Sequence, residues 1–195
     1  RIIYGNTRFS EDLDFDNFGL SEKEFTNLSK IIQKDLTLEG LQIEVKTVTR
    51  NAYRIKIRIP KLLFDAELSA IREQKILIHV DTVPQNFEYV PDKPLLNKFD
   101  IFTQINAVPK DLLLAQKIYA SVNRKRIMGR DFFDIVFLHG IGAKPYFSYL
   151  EKNMGVKNRQ DLKRYLLKKT SSLNFENLAH DVEPLLFDPR DKKKV

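Results

Sequence analysis

Asp12 and Asp14, separated only by Leu13, are the residues of this chain best suited by type and spacing to do chemistry. In an extended strand, side chains alternate between the two faces, so the aspartates share one face. Leu13 and Phe15 share the other and are expected to anchor the strand in a core. Two neighbouring carboxylates repel each other, and a cation between them relieves the repulsion. Mg²⁺ and Mn²⁺ take oxygen ligands, and such ions bridge carboxylates to substrate phosphates. An Asp-x-Asp strand therefore points to phosphoryl or nucleotidyl transfer. A solvated strand end gives the same tripeptide in a chain that is 30% charged.

A second group lies in the later part of the chain. Lys117, Ser121 and Arg124 are spaced i, i+4 and i+7, on one face of a predicted helix opposite the stripe of Leu114, Ile118 and Val122. A lysine there could neutralise phosphate charge, or it could belong to an ordinary solvated face. Asp131 and Asp134 are spaced i, i+3 on the next predicted helix. Asp131 either faces the helix N-terminus, worth about 0.3–1 kcal/mol, or pairs with Arg130 or a lysine of the preceding helix. Asp134 reads as structural.

The elements that must position these groups follow from pattern. Ile2, Ile3 and Tyr4 read as a helix end, with Gly5-Asn6 as its stop. Ser21 and Glu24 form a capping box, and Phe25, Leu28, Ile32 and Leu36 recur at helical spacing, which predicts a helix over 22–36. Residues 41–48 and 53–59 alternate as strands, with Arg50-Asn51-Ala52 as their hairpin connection. Residues 61–74 are ambiguous between loop and a short helical piece. A third strand over 75–81 puts Ile76, Ile78 and Val80 on one face and Leu77, His79 and Asp81 on the other. Pro84, Pro91, Pro94 and Pro109 exclude long helices from the next stretch, which leaves one short strand near 102–107. Helices are predicted from Pro109 onward, over 131–138, 145–154, 158–169 and 174–186, ahead of a charged, frayed tail.

Composition narrows the classes. A chain of 195 residues with 43% hydrophobic content can build a real core. No apolar run is long enough for a transmembrane helix, no signal peptide is read at the start, and no membrane partner is expected. The absence of cysteine removes disulfides and thiolate chemistry, and fits a cytoplasmic location. A net charge of +7 suits a polyanionic partner such as RNA. Gly140-Ile141-Gly142-Ala143-Lys144 has neither the spacing nor the hydroxyl of a Walker A loop, and His79, His139 and His180 lack metal-ligand spacing.

The wider wording, Tyr4-Gly5-Asn6-Thr7-Arg8-Phe9-Ser10-Glu11-Asp12-Leu13-Asp14-Phe15, resembles the Arg-x-Ser-x-Asp-Leu-Asp-Phe signature of the AbiEii/AbiGii toxin family of nucleotidyltransferases. The stretch from Leu114 through Lys117 to Gly129-Arg130-Asp131-Phe132-Phe133-Asp134 resembles that family's later signature, a lysine-bearing helix followed by Arg-Asp-x-x-Asp. In that family a Gly-Gly-Thr/Ser signature precedes the first motif and is not among these residues. The expectation is either a fragment or a departure at a phosphate-binding element.

The resemblance implies an α+β fold, with a nucleotidyltransferase-like mixed β-sheet core over residues 1–108 and a helical region over 109–195. It implies a type IV toxin–antitoxin toxin that transfers a nucleotide from an NTP to an RNA acceptor, tRNA among them, with a cognate antitoxin and a role in phage defence. Asp12, Asp14, Lys117 and Asp131 would be catalytic. Arg8, Ser10 and Lys117 would hold the nucleotide, and Asp12 and Asp14 the Mg²⁺ or Mn²⁺. The family's third carboxylate aligns with His79, a departure, and Asp81 on the same face is expected to serve instead. The alternative is a non-catalytic RNA- or protein-binding member of the same fold. A metal-dependent nuclease using the same aspartates is a third reading.

Overall fold

The computed structural model describes residues 1–10, 12–50, 53–84 and 86–195. The chain forms two compact units, one of residues 10–88, the other of residues 1–9 together with 89–195. The expected division near residue 108 marks where strands give way to helices.

In the unit of residues 10–88, β1 (Asp12–Asn17) is followed by α1 (Glu22–Leu38), β2 (Glu44–Val48), β3 (Tyr53–Pro60), α2 (Leu62–Asp65) and β4 (Lys75–Pro84). The strands form one mixed sheet in the order β1-β4-β3-β2, in which β1 runs parallel to β4 and the other pairs are antiparallel. Between β1 and α1 the Asn17 side-chain oxygen accepts from the Gly19 and Leu20 amides, at 2.9 and 2.6 Å, and turns the chain. The capping box then starts α1: the Ser21 hydroxyl accepts from the Glu24 amide and the Glu24 carboxylate from the Ser21 amide. Of the connection read at Arg50-Asn51-Ala52, Asn51 and Ala52 lie outside the described residues.

Alternation along β3 decides which face is covered. Ile55, Ile57 and Ile59 are buried together with Val80 of β4 and Phe25 of α1, and Ile32, Leu36, Ile76 and Ile78 pack around them. The opposite face carries the intervening residues, Arg54, Lys56 and Arg58 of β3 and Leu77, His79 and Asp81 of β4. The faces of β4 are those read from the sequence. The anchoring expected of Leu13 and Phe15 is overturned: both are on the α1 side of the sheet, yet they are 47% and 57% exposed. β1 is an edge strand, and α1 packs over β2 and β3 instead.

The unit of residues 1–9 and 89–195 is mainly helical. Residues 1–5 form a turn, with the Gly5 amide donating to the Arg1 carbonyl and Gly5 at φ 74°. The chain then lies antiparallel to a later segment, where the Phe9 amide donates to Leu185 and the Phe187 amide to Thr7. The single strand expected near 102–107 is instead a hairpin of β5 (Leu95–Lys98) and β6 (Ile101–Gln104). Its two-residue turn holds Phe99 and Asp100 at φ 55° and 61°. Such a turn suits the twist of a hairpin, but glycine and asparagine usually fill it, so the sequence does not announce it.

The helices are α3 (Lys110–Asn123), α4 (Gly129–Gly140), α5 (Phe147–Met154), α6 (Arg159–Thr170) and α7 (Phe175–Val182). α4 packs against α3 and α7. A Cβ built on Gly129 would lie 1.9 Å from the Leu178 carbonyl oxygen, so only glycine admits α7 this closely. The expected helix over 174–186 stops at Val182, before Pro184, and a 3-10 turn covers Glu183–Leu185. The expected frayed tail is a 3-10 segment, Pro189–Lys194, in which Lys192 bonds Glu183 at 2.9 Å.

Candidate active-site residues

Each unit carries one of the two groups singled out by sequence. On the sheet, Asp12 and Asp14 lie on the same face of β1, opposite His79 and Asp81 in register. The Asp12 carboxylate meets His79 Nδ1 at 3.0 Å, while the other ring nitrogen of His79 is buried with no hydrogen-bond partner among the described residues. Asp14 is exposed. Asp81 is held by Arg54, whose Nε donates to one carboxylate oxygen at 2.6 Å and whose terminal nitrogen donates to the other. The hydrogen bonds from Arg54 to Asp81 raise the guanidinium pKa first of all, and the charges of Asp12 and Asp14 add to that. Ser10, expected to hold nucleotide, donates to the Asp12 backbone carbonyl at 3.1 Å and shapes the entry to β1.

The donors suit a hard divalent ion in one particular mode. Asp12 and Asp14 offer oxygen ligands on one face, which fits an ion that takes one or two carboxylates and completes its shell with waters and substrate phosphates. They do not form a protein cage: among the described residues no three His, Cys, Asp or Glu side chains converge as metal ligands. Asp81, expected to serve as the third carboxylate, sits opposite Asp14 with both its oxygens engaged by Arg54.

The second group is a buried ion cluster. Asp134 accepts from Arg8 Nε and a terminal Arg8 nitrogen, both at 2.7 Å, from Asn6 at 2.8 Å, and from Lys117 at 2.8 Å. Burial pushes its carboxyl up, but the hydrogen bonds of Arg8 and the charges of Lys117 and Arg8 prevail and hold it at about 2. Asp131, fully buried, lies 3.5 Å from the Lys117 amine and 3.4 Å from Arg124, and neither carboxylate oxygen accepts a hydrogen bond from the described residues. Three side-chain cations face two carboxylates.

Residues 1–188 match the model of a family described as nucleotidyl transferase AbiEii toxin, type IV TA system. The chain belongs to that family. An AbiEii member is a nucleotidyltransferase toxin of a type IV toxin–antitoxin system, and the mixed sheet with its helices is consistent with an α+β nucleotidyltransferase-like fold. No curated protein matches the chain. No helix among the described residues is long and apolar enough to cross a membrane.

Against the AbiEii signatures, the structure rearranges several expected roles. Arg8 belongs to the first motif, yet its guanidinium is committed to Asp134 of the second and to the Phe9 carbonyl. Asp134, read as merely structural, is the acceptor on which the cluster converges. Its partner lies 126 residues away, and no local spacing signals such a pair. Asp131 does meet a lysine of the preceding helix, as one reading had it. Ser121, expected beside Lys117 on a solvated face, is fully buried, and its hydroxyl donates to the Ile118 carbonyl at 2.9 Å. A serine is small enough, once its hydroxyl is bonded inside the helix, to sit on a packed face.

Proposed function

We propose that the protein transfers a nucleotide from an NTP to a hydroxyl of an RNA acceptor, tRNA among them, with Mg²⁺ or Mn²⁺, and that a cognate antitoxin restrains it in phage defence. The observation that carries this reading is the Asp12–Asp14 pair, presented on one face of β1 in a member of a nucleotidyltransferase family. Asp12 and Asp14 would hold the ion and, through it, the triphosphate, and His79 would fix the orientation of the Asp12 carboxylate. When bound, the ion supplies charge neutralisation at the transferring phosphate.

Lys117 carries the cation that would meet phosphate charge as pyrophosphate leaves. Its amine is fixed by Asp134 and has Asp131 close by, so its position is set before any ligand arrives. Asp131 is too deeply buried to touch an acceptor and acts as a positioning residue for Lys117. In the step itself the acceptor oxygen bonds to the α-phosphorus, the bond to the leaving pyrophosphate breaks, and the hydroxyl proton passes to solvent.

The test is incubation with Mg²⁺, total tRNA and each labelled NTP in turn, beside the Asp12→Ala, Asp14→Ala double variant. Label on RNA from the wild type alone is the expected result, and it names the nucleotide. The second reading, a non-catalytic RNA- or protein-binding member, is favoured by the Arg54 fork that occupies Asp81. Intact, unlabelled RNA with every NTP would select it, and shortened RNA without NTP would select the nuclease.

A further inference from the structure

The face of the sheet that bears Asp12 and Asp14 continues as a row of cations. Lys46 of β2 and Lys56 of β3 are direct cross-strand partners, and Arg58 follows Lys56 on the same face, opposite Glu44. Like charges placed directly opposite each other destabilise a sheet. Among the described residues no hydrogen bond or ion pair involves the side chains of Lys46, Lys56 or Arg58, while the charge of Glu44 is felt at Arg58. Glu44, the nearest carboxylate in register, is bonded to Lys75 at 2.7 Å. The neighbouring Arg54 differs, because Asp81 neutralises it.

The row leads to more positive charge. Pro60 and Lys75 are partners on this same face, and with Lys61, Arg72 and Glu73 they line a shallow cavity of about 370 Å³. From Lys56 to Pro60 is four residues of strand, roughly 13 Å. Cations thus repeat along the strand direction, away from the aspartates.

We infer that this face, through Lys46, Lys56 and Arg58, binds the phosphodiester backbone of a single-stranded RNA segment and guides it toward the Asp12–Asp14 end. The choice of RNA rests on the nucleotidyl-transfer reading above; the choice of a polyanion rests on the charge alone. An unrelieved Lys46–Lys56 pair gains most from a ligand that brings negative charge at intervals and demands no particular side chain. Phosphate contacts of this kind position a nucleic acid without reading its sequence.

The experiment measures binding of labelled oligouridylate by fluorescence anisotropy across a salt series, for the wild type and for a Lys46→Gln, Lys56→Gln, Arg58→Gln variant. Each phosphate contact to a single strand contributes about 0.7 to the slope of log affinity against log salt. The variant should lose about 2 from that slope and at least tenfold in affinity at low salt, with NTP binding unchanged. Should the triple variant fail to fold, each single variant should lose about 0.7 from the slope, and Lys46→Gln alone should raise Tm without RNA. Equal slopes and affinities in variant and wild type would overturn the inference, as would loss of polyglutamate binding with RNA binding intact, which would assign the face to an acidic protein. Labelling by proteins that keep Asp12 and Asp14, read beside their salt slopes, separates the two proposals. RNA bound through this face but never labelled defeats the transferase reading alone, and labelling with an unchanged salt slope defeats this inference alone.

Discussion

The carboxylates on the sheet and those on the helices have the same chemistry and opposite surroundings. Asp12 and Asp14 stand on an edge strand, partly or fully in reach of solvent, with an imidazole as the partner of Asp12. Asp131 and Asp134 are buried among three cations. An exposed carboxylate is already solvated and contributes little to stability, so it is available to a ligand. A buried one must be paired, and removing one partner strands the other. On the proposed function, the difference would separate residues able to meet substrate from residues that hold Lys117 in place.

Substitution in the two groups should therefore fail in different ways. Asp14→Ala should reduce nucleotide transfer by about a hundredfold to a thousandfold, a loss of the size found when charge-stabilising groups are removed. Its unfolding curve should match that of the wild type, and any growth arrest should be relieved. Unchanged toxicity in that variant would sink the catalytic reading. Asp134→Ala should instead destabilise the fold by about 3–5 kcal/mol, because Arg8 is left buried without its partner. Denaturant unfolding would check it, and a stable but inactive Asp134→Ala protein would collapse the contrast between the groups.

Two smaller effects sharpen it. Gly129→Ala, which alters no charge, should cost about 1–3 kcal/mol through the close approach of Leu178. The Asp134 carboxyl titrates at about 2 in the folded protein, below the ordinary 3.8. A depressed value stabilises the fold above the ordinary pKa and loses that contribution as pH falls through the folded one. An acid titration should accordingly show about 2 kcal/mol disappearing between roughly pH 4 and 2. Asp134→Asn should flatten that limb, and an unchanged limb would mean that other carboxylates carry it. Smallest of all, Ser21→Ala should cost about 1 kcal/mol at the start of α1 and leave both groups untouched.

What the sequence made legible was local. Ser21 and Glu24 announce α1, and the alternation of Lys75–Asp81 assigns the faces of β4. The shared face of Asp12 and Asp14 follows from period two alone. Pairings distant in the chain were not legible. Nothing near Arg8 points to Asp134, and nothing near Leu13 or Phe15 reveals that their strand is an edge. Turn residues misled as well: Phe99 and Asp100 adopt left-handed backbone without glycine, which hid β5.

The Arg8–Asp134 bond also has a bearing on the order in which the protein is made. Residues 10–88 are contiguous, and their strands can pair as soon as that length of chain has left the ribosome. The other unit cannot form the Arg8–Asp134 bond until residue 134 has been synthesised. Lys117 likewise waits for Asp131 and Asp134. The sheet aspartates of this toxin are thus in place first, whereas the lysine is fixed only after residue 134 has been made.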